Sequence, residues 1–175
     1  MMKRLLRNQR GLTLVELLAV VVILGILAAI AVPSIGGILN NAEKDAHVAN
    51  AEQMASSAQL YMTSNPGFED GEVKIYVEGP EGGQSDEPSL VENGYLEPVA
   101  DPSSDDNIDG NNSYVIVTED DDSTGYNYYV KIEDYISEAS ASEEDLGHDE
   151  FDDAIHIEDI REHGREIVDL DGGSE

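Results

Sequence analysis

An α+β architecture is predicted. It comprises a long N-terminal α-helical spine with a membrane-spanning first half, packed on a small antiparallel β-sheet head, and an acidic C-terminal tail. Three observations predict it. Residues 12–32 form an apolar run broken only by Thr13 and Glu16. Apolar residues then recur at helical spacing as far as Asn65. Beyond that point, short segments rich in Val, Ile and Tyr alternate with clusters of Gly, Pro and Asp. The expected boundaries are a basic leader at 1–11, the spine at 12–65, the head at 66–137 and the partly disordered tail at 138–175.

Charge is distributed as unevenly as hydrophobicity. The chain has 175 residues, with 38 Asp and Glu against 9 Lys and Arg. Lys3, Arg4, Arg7 and Arg10 all lie in the leader, which contains no acid. From Leu12 onward, five basic residues face 38 acidic ones, a formal balance of −33. Such a surface repels phosphate backbones, so direct nucleic-acid binding is not expected. The absence of cysteine excludes disulfides, thiolate metal sites and cysteine nucleophiles.

The 21 residues from Leu12 to Val32 would span about 31 Å as a helix, close to the ~30 Å hydrocarbon core of a bilayer. The basic leader should stay in the cytoplasm, which places the rest of the chain outside. A secretory signal peptide would have a shorter apolar region of roughly 7–15 residues, with Ala29-Ile30-Ala31 as its cleavage site. A plain membrane anchor fits the length but gives Glu16 no role, although a carboxylate at membrane depth is costly.

Gly11-Leu12-Thr13-Leu14-Val15-Glu16 resembles the prepilin peptidase site of type IV pilins and the related type II secretion pseudopilins. In that family a basic leader ends in Gly, an apolar residue follows, and Glu stands fifth after the cut. Leu12 occupies the place where the family usually carries Phe. The resemblance continues through the apolar run to Pro33, with Gly25 and Pro33 where family members have helix-weakening residues. It implies cleavage after Gly11 by prepilin peptidase and N-methylation of the new amino terminus at Leu12. It further implies storage in the lipid bilayer, then assembly with identical or related subunits by a membrane platform and an ATPase. The physical logic runs parallel. A buried carboxylate needs a cationic partner, and the amine created at Leu12 of an adjacent subunit can pair with Glu16. Gly25 lowers helix propensity and Pro33 cannot donate to the preceding turn, so the stretch between them could extend when subunits pack.

Past Pro33 the helix becomes amphipathic. Ile35, Ile38, Leu39, Ala42, Ala46, Ala49, Met54, Ala58, Tyr61 and Met62 mark the apolar side, and Asn65-Pro66-Gly67 ends it. Such a spine, from Leu12 to Asn65, would measure about 80 Å. A coiled-coil dimer is the alternative, and the many alanines weaken its seam. In the head, 73–77, 114–118 and 126–132 read as strands, the last two pairing antiparallel across 119–125. Tyr126, Tyr128, Val130 and Ile132 should share one face. Residues 90–96 read as a helical turn closed by Gly94. The segment 93–102 is similar to the one preceding the sheet in type II secretion pseudopilins. Family pilins often tie down their C-terminal region with a disulfide, which this chain cannot form.

Chemistry-bearing patterns are few, and none points to an enzyme. Asp105, Asn107, Asp109 and Asn111 place oxygens at alternate positions around Gly110, like the first half of a calcium loop. The twelfth position is Ile116, so the pattern is not an EF-hand, and a solvated Asx-rich turn gives the same sequence. Some pseudopilins hold calcium in this region. His148, His156 and His163 lack the spacing of a zinc motif. Asn111-Asn112-Ser113 is a glycosylation sequon of low information. In the tail, Phe151, Ile155, Ile157, Ile160, Ile167 and Val168 can pack, and partial helix is expected over 149–163.

The sequence therefore points to a filament subunit, in a surface pilus or a secretion pseudopilus. Before assembly it would span the cell membrane once; afterwards it would lie in an extracellular or cell-surface filament. The alternative is a secreted or membrane-anchored acidic binding module that does not polymerise.

The charge pattern also predicts a halophilic host. At molar salt the Debye length falls to ~3 Å, which screens the self-repulsion of the acidic region. The melting temperature of the fragment 40–175 is expected to rise with sodium or potassium chloride up to about 3 M. A flat response would contradict the halophilic reading.

Overall fold

The computed structural model describes residues 13–66, 71–79, 87–119, 125–133, 135–137 and 153–170. Helix α1 runs from Leu14 to Ser64, close to the expected spine. Pro33 lies inside it, and the residues from Gly25 to Pro33 are helical. The helix ends at Asn65, whose backbone N–H donates to the Tyr61 carbonyl at 2.9 Å. Pro66 disfavours a helical conformation for the residue before it, which fixes this end. The chain divides into two compact units, Met1–Leu39 and Asn40–Glu175.

In the first unit every described side chain is exposed. A helix that is apolar all round cannot be a surface helix of a water-soluble domain, because it has no polar face to present.

The second unit has its own core. Strands β1 (Glu72–Tyr76), β2 (Tyr114–Glu119), β3 (Tyr126–Lys131) and β4 (Ile155–His156) form one antiparallel sheet in the order β1-β2-β3-β4. The pairing of β2 with β3 sets Val115 opposite Val130 and Val117 opposite Tyr128. Strand alternation then sends Ile75, Val115, Val117 and Val130 to the face that packs with α1 residues Ala51, Met54, Ala55, Ala58 and Met62. Tyr128 packs against this core, and Tyr126, at the strand's start, is exposed. The opposite face carries a smaller cluster of Tyr114, Ile116 and Ala154, flanked by Tyr76 and Tyr129.

The buried stripe of α1 includes the expected Met54, Ala58 and Met62 and differs from the expected one before them. Ala42 and Ala49 are exposed and Ala46 is half-buried, whereas His47 and Ala51 are fully buried. A histidine reads as polar in a periodicity count. Here it is buried because the head supplies a hydrogen-bond partner.

The largest difference from the sequence-based boundaries lies in the acidic tail. Residues 155–168 belong to the head. They supply β4, helix α2 (Ile157–His163) and a 3-10 turn (Gly164–Ile167). Ile155, Ile157, Ile160, Ile167 and Val168 enter the same core cluster as α1 and the sheet. Acid-rich composition hides this segment, but its aliphatic side chains fall where a short strand and one helical face need them. The expected helix over 149–163 is confined to 157–163 within the described residues, and Phe151 lies outside them.

Cations reinforce the docking. Lys44 donates to the Val168 carbonyl and Lys131 pairs with Asp153. Arg161 meets Glu52 at 3.6 Å and Arg165 meets Asp45 at 3.1 Å. Among the described residues, four of the five basic side chains beyond the leader thus hold this one segment. The two arginine pairs are half exposed and each is worth at most about 1 kcal/mol, so aliphatic burial dominates.

Truncating Ile160 tests that placement. Ile160→Ala should lower the urea-unfolding free energy of the fragment 40–175 by about 2–5 kcal/mol, the range for a buried aliphatic truncation. A change near zero would return the segment to the status of an independent tail.

Candidate functional site

At the start of α1, Thr13 is the N-cap residue and Glu16 lies three positions on, the spacing of a capping box. The Glu16 carboxylate accepts from the Thr13 backbone N–H at 2.8 Å and from the Thr13 hydroxyl at 2.7 Å. The Glu16 backbone N–H in turn donates to Thr13 Oγ1 at 3.3 Å. The reciprocal bonds satisfy donors that the first helical turn would otherwise leave open. Glu16 is therefore partnered within its own helix turn. Gly11 and Leu12 lie outside the described residues.

Around this cap the surface is apolar. Sixteen Leu, Ile and Val side chains between Leu14 and Leu39 are 52–83% exposed. Gly25, Gly36 and Gly37 meet nothing within 4 Å of a Cβ built on them, so they leave shallow places where another backbone can approach closely. The helix is long and apolar enough to cross a membrane, and its most apolar stretch is not buried within the described residues.

The 105–111 loop is placed by its backbone. Val99 and Ile108 are buried, the Ile108 N–H donates to the Val99 carbonyl at 3.0 Å, and Ala100 pairs with Asn107. Asp105, Asn107 and Asp109 are exposed. Asp109 Oδ1 accepts from the Asn111 N–H at 3.0 Å, an Asx turn, and the Asp109 N–H donates to the Glu133 carboxylate. Gly110 is wedged against β1's continuation: a Cβ there would stand 2.6 Å from Glu78 Cβ and 2.8 Å from its backbone nitrogen. Asn111 Oδ1 is buried without a hydrogen-bond partner among the described residues. The adjacent Ser113 of the sequon is fully buried, its hydroxyl accepting from the Glu133 N–H at 3.1 Å.

The sequence-flagged histidines do not converge. His156 lies edge-on to Tyr129, its Nδ1 accepting from Glu158 N–H at 3.3 Å, and His163 Nδ1 lies 3.1 Å from the Asp159 carbonyl. His148 lies outside the described residues. Among the described residues, no three His, Asp or Glu side chains form a group able to hold a metal ion.

One polar cluster was not anticipated. His47 on α1 is fully buried, with Nε2 3.0 Å from Ser103 Oγ and 3.7 Å from Asp101 Oδ1. Its ring stacks on Tyr135 at 4.2 Å, and the Tyr135 hydroxyl donates to Asp101 Oδ2 at 3.3 Å. Burial pushes His47 below its ordinary pKa against the pull of Asp101, and burial also raises that of Tyr135. Serine and aspartate face the same imidazole nitrogen, so the group lacks the through-ring relay of a hydrolytic triad. The only sequence signal was a histidine on the apolar side of an amphipathic helix.

Comparison with known proteins bears on the amino-terminal region. A family model described as Prokaryotic N-terminal methylation motif matches residues 6–32. The type II secretion system core protein G of Dickeya chrysanthemi is 39% identical over 59 residues, 34% of this chain and 39% of that protein. That of Pectobacterium carotovorum subsp. carotovorum is 36% identical over 76 residues, 42% of this chain and 48% of that protein. In its amino-terminal region the chain is similar to the type IV pilin and pseudopilin family. Another core protein G, from Klebsiella michiganensis, is 36% identical over 59 residues, 34% of this chain and 42% of that protein. The chain thus spans less than half the length of these pseudopilin relatives. No solved structure matches. Members of the family are structural subunits rather than enzymes.

Proposed function

We propose that this chain is a prepilin, cleaved after Gly11, N-methylated at Leu12 and polymerised through α1 into a type II secretion-like pseudopilus. The observation that carries the reading is the apolar half of α1, exposed from Leu14 to Leu39. Lipid covers it while the subunit is stored in the membrane, and neighbouring spines cover it in the filament. The matched relatives, all named as secretion core proteins, favour a pseudopilus over a surface pilus. The partners follow from the family: prepilin peptidase, related subunits, and a platform with its ATPase.

In this reading Glu16 has two successive partners. Before assembly, Thr13 satisfies the carboxylate locally. After cleavage, the Leu12 amine of a neighbouring subunit competes for it, and a charged partner is stronger than a hydroxyl in a low-dielectric spine.

Two substitutions separate processing from assembly. Gly11→Val should leave the leader attached, because a branched side chain obstructs the scissile bond. Glu16→Ala should be cut normally and lost from the sheared filament fraction, since its proposed partner exists only after the cut. Mass spectrometry of membrane-extracted protein reads the first residue. A mature terminus at Val32 would mean signal peptidase cleavage and would overturn the proposal. Normal assembly of Glu16→Ala would remove the charge pair alone.

We also propose that the 105–111 loop binds calcium. The observation in favour is the buried Asn111 Oδ1, an acceptor that a cation would satisfy. Asp105, Asn107 and Asp109 would supply the exposed oxygens. Calorimetric titration of the fragment 40–175 should show binding at millimolar calcium or below, abolished by Asp109→Ala. An absence of heat, or an unchanged signal in the variant, would leave an ordinary Asx turn.

A further inference from the structure

We propose that His47 is an acid-responsive joint, which on protonation frees the loop tip 100–107 from α1 while the rest of the head stays folded. The inference rests on the Asn40–Glu175 unit alone and does not depend on the filament reading.

The joint is built from three segments. Helix α1 contributes His47 and Asn50, the loop contributes Ala100, Asp101 and Ser103, and the turn after β3 contributes Tyr135. The neutral imidazole lies 3.0 Å from Ser103 through Nε2. If Nε2 carries the proton it donates to the Ser103 hydroxyl, and Nδ1 is then a bare acceptor. Nδ1 is buried and has no hydrogen-bond partner among the described residues. Protonation converts it to an N–H with no acceptor in a fully buried site, which is unfavourable for the closed joint.

The groups facing the imidazole already have other partners, and among the described residues none of them bonds Nδ1. From the loop, Asp101 Oδ1 already accepts from the Ser103 N–H at 2.8 Å. Asp101 Oδ2 accepts from Tyr135, the titratable group that faces His47 from the turn. Glu133 in the same turn bears on Tyr135, and its carboxylate is engaged by the Asp109 N–H. From the carboxyl-terminal segment, the Asp169 N–H donates to the Tyr135 carbonyl at 3.0 Å. On His47's own helix, Lys44 is turned to the Val168 carbonyl. Burial outweighs the attraction of Asp101, so the closed imidazole titrates below its ordinary 6.5.

The open loop therefore binds the proton more tightly than the closed one. The closed joint has its full stability above 6.5 and weakens as pH falls from there toward the depressed value of the closed state. Each unit of depression makes opening about tenfold more frequent at acid pH. The tip can move as one piece. Its Asp101 N–H is bonded back to the Asp106 carbonyl at 3.0 Å, and Val99 and Ile108, both buried, remain as anchors on either side. Apart from His47, α1 holds the tip through Asn50 Nδ2 on the Ala100 carbonyl at 3.1 Å.

Two measurements on the full chain in detergent micelles test the joint. Titration of the His47 ring Cε1 resonance should give a midpoint below 6.5. Hydrogen exchange, corrected for its intrinsic pH dependence, should show the Asp101, Ser103 and Asp106 amides opening more at pH 5 than at pH 7.5, by up to about tenfold for each unit of depression. The β2 amides of Val115 and Val117 should be unchanged over the same range. His47→Gln should abolish the pH dependence of the loop amides. A midpoint at or above 6.5, loop exchange independent of pH, or a parallel rise in β2 would each overturn the proposal. The contrast between loop and β2 amides in the unmodified chain decides the matter even if His47→Gln does not fold.

Discussion

Sixteen aliphatic side chains on the first half of α1 have no partner in their own unit, and what this helix can do depends on what covers them. In water each would forgo about 1.5–3 kcal/mol of burial, so exposure to solvent is untenable. On the proposed function, lipid would cover them in a stored subunit. Transfer from lipid to a bundle of similar helices exchanges one apolar environment for another, with little hydrophobic gain. Assembly on this account needs other sources of free energy: close packing at shallow sites such as Gly25, Gly36 and Gly37, a charge pair at Glu16, and external work. The Thr13–Glu16 cap fits the same logic. In the proposed membrane-stored subunit this carboxylate would lie at membrane depth, and the neighbouring threonine would satisfy it before any second subunit is present.

The head answers a different constraint, the formal balance of −33 beyond the leader. With five cations available, placement matters more than number. Four of them fasten the segment 153–168 within the described residues, and the fifth, Lys74, lies 4.1 Å over the Tyr114 ring. The segment so held is itself acid-rich. Repulsion would favour its release, and the buried Ile155, Ile157, Ile160, Ile167 and Val168 oppose that release. The fold thus closes its carboxyl-terminal end with aliphatic burial, supported by ion pairs at the rim and without a disulfide.

Much of this was legible in the residues. The spine declared itself through an unbroken apolar run and its Asn65-Pro66 stop, and β2 and β3 through alternation of Val, Ile and Tyr around an acidic turn. Gly94 was recognisable as a turn terminus, and its φ of 75° shows why glycine stands there. The carboxyl-terminal segment was not legible, because β4 is two residues long and is held by pairing with β3 and by burial of Ile155 in the shared core. His47 was missed for a related reason. Burial of a polar side chain depends on a partner 56 residues away, and no local pattern encodes that distance.

The central claim is that other copies of this spine, or of related ones, cover the apolar half of α1 after processing. Site-specific photo-cross-linking tests it most directly, with a benzoylphenylalanine placed at Leu24 of the full chain in its own membrane. Irradiation should give products containing two or more subunits in the processed chain, and these should disappear when Gly11→Val blocks processing. Processed chain that cross-links to lipid alone, at every expression level, would show that the helix is only an anchor and would contradict the account.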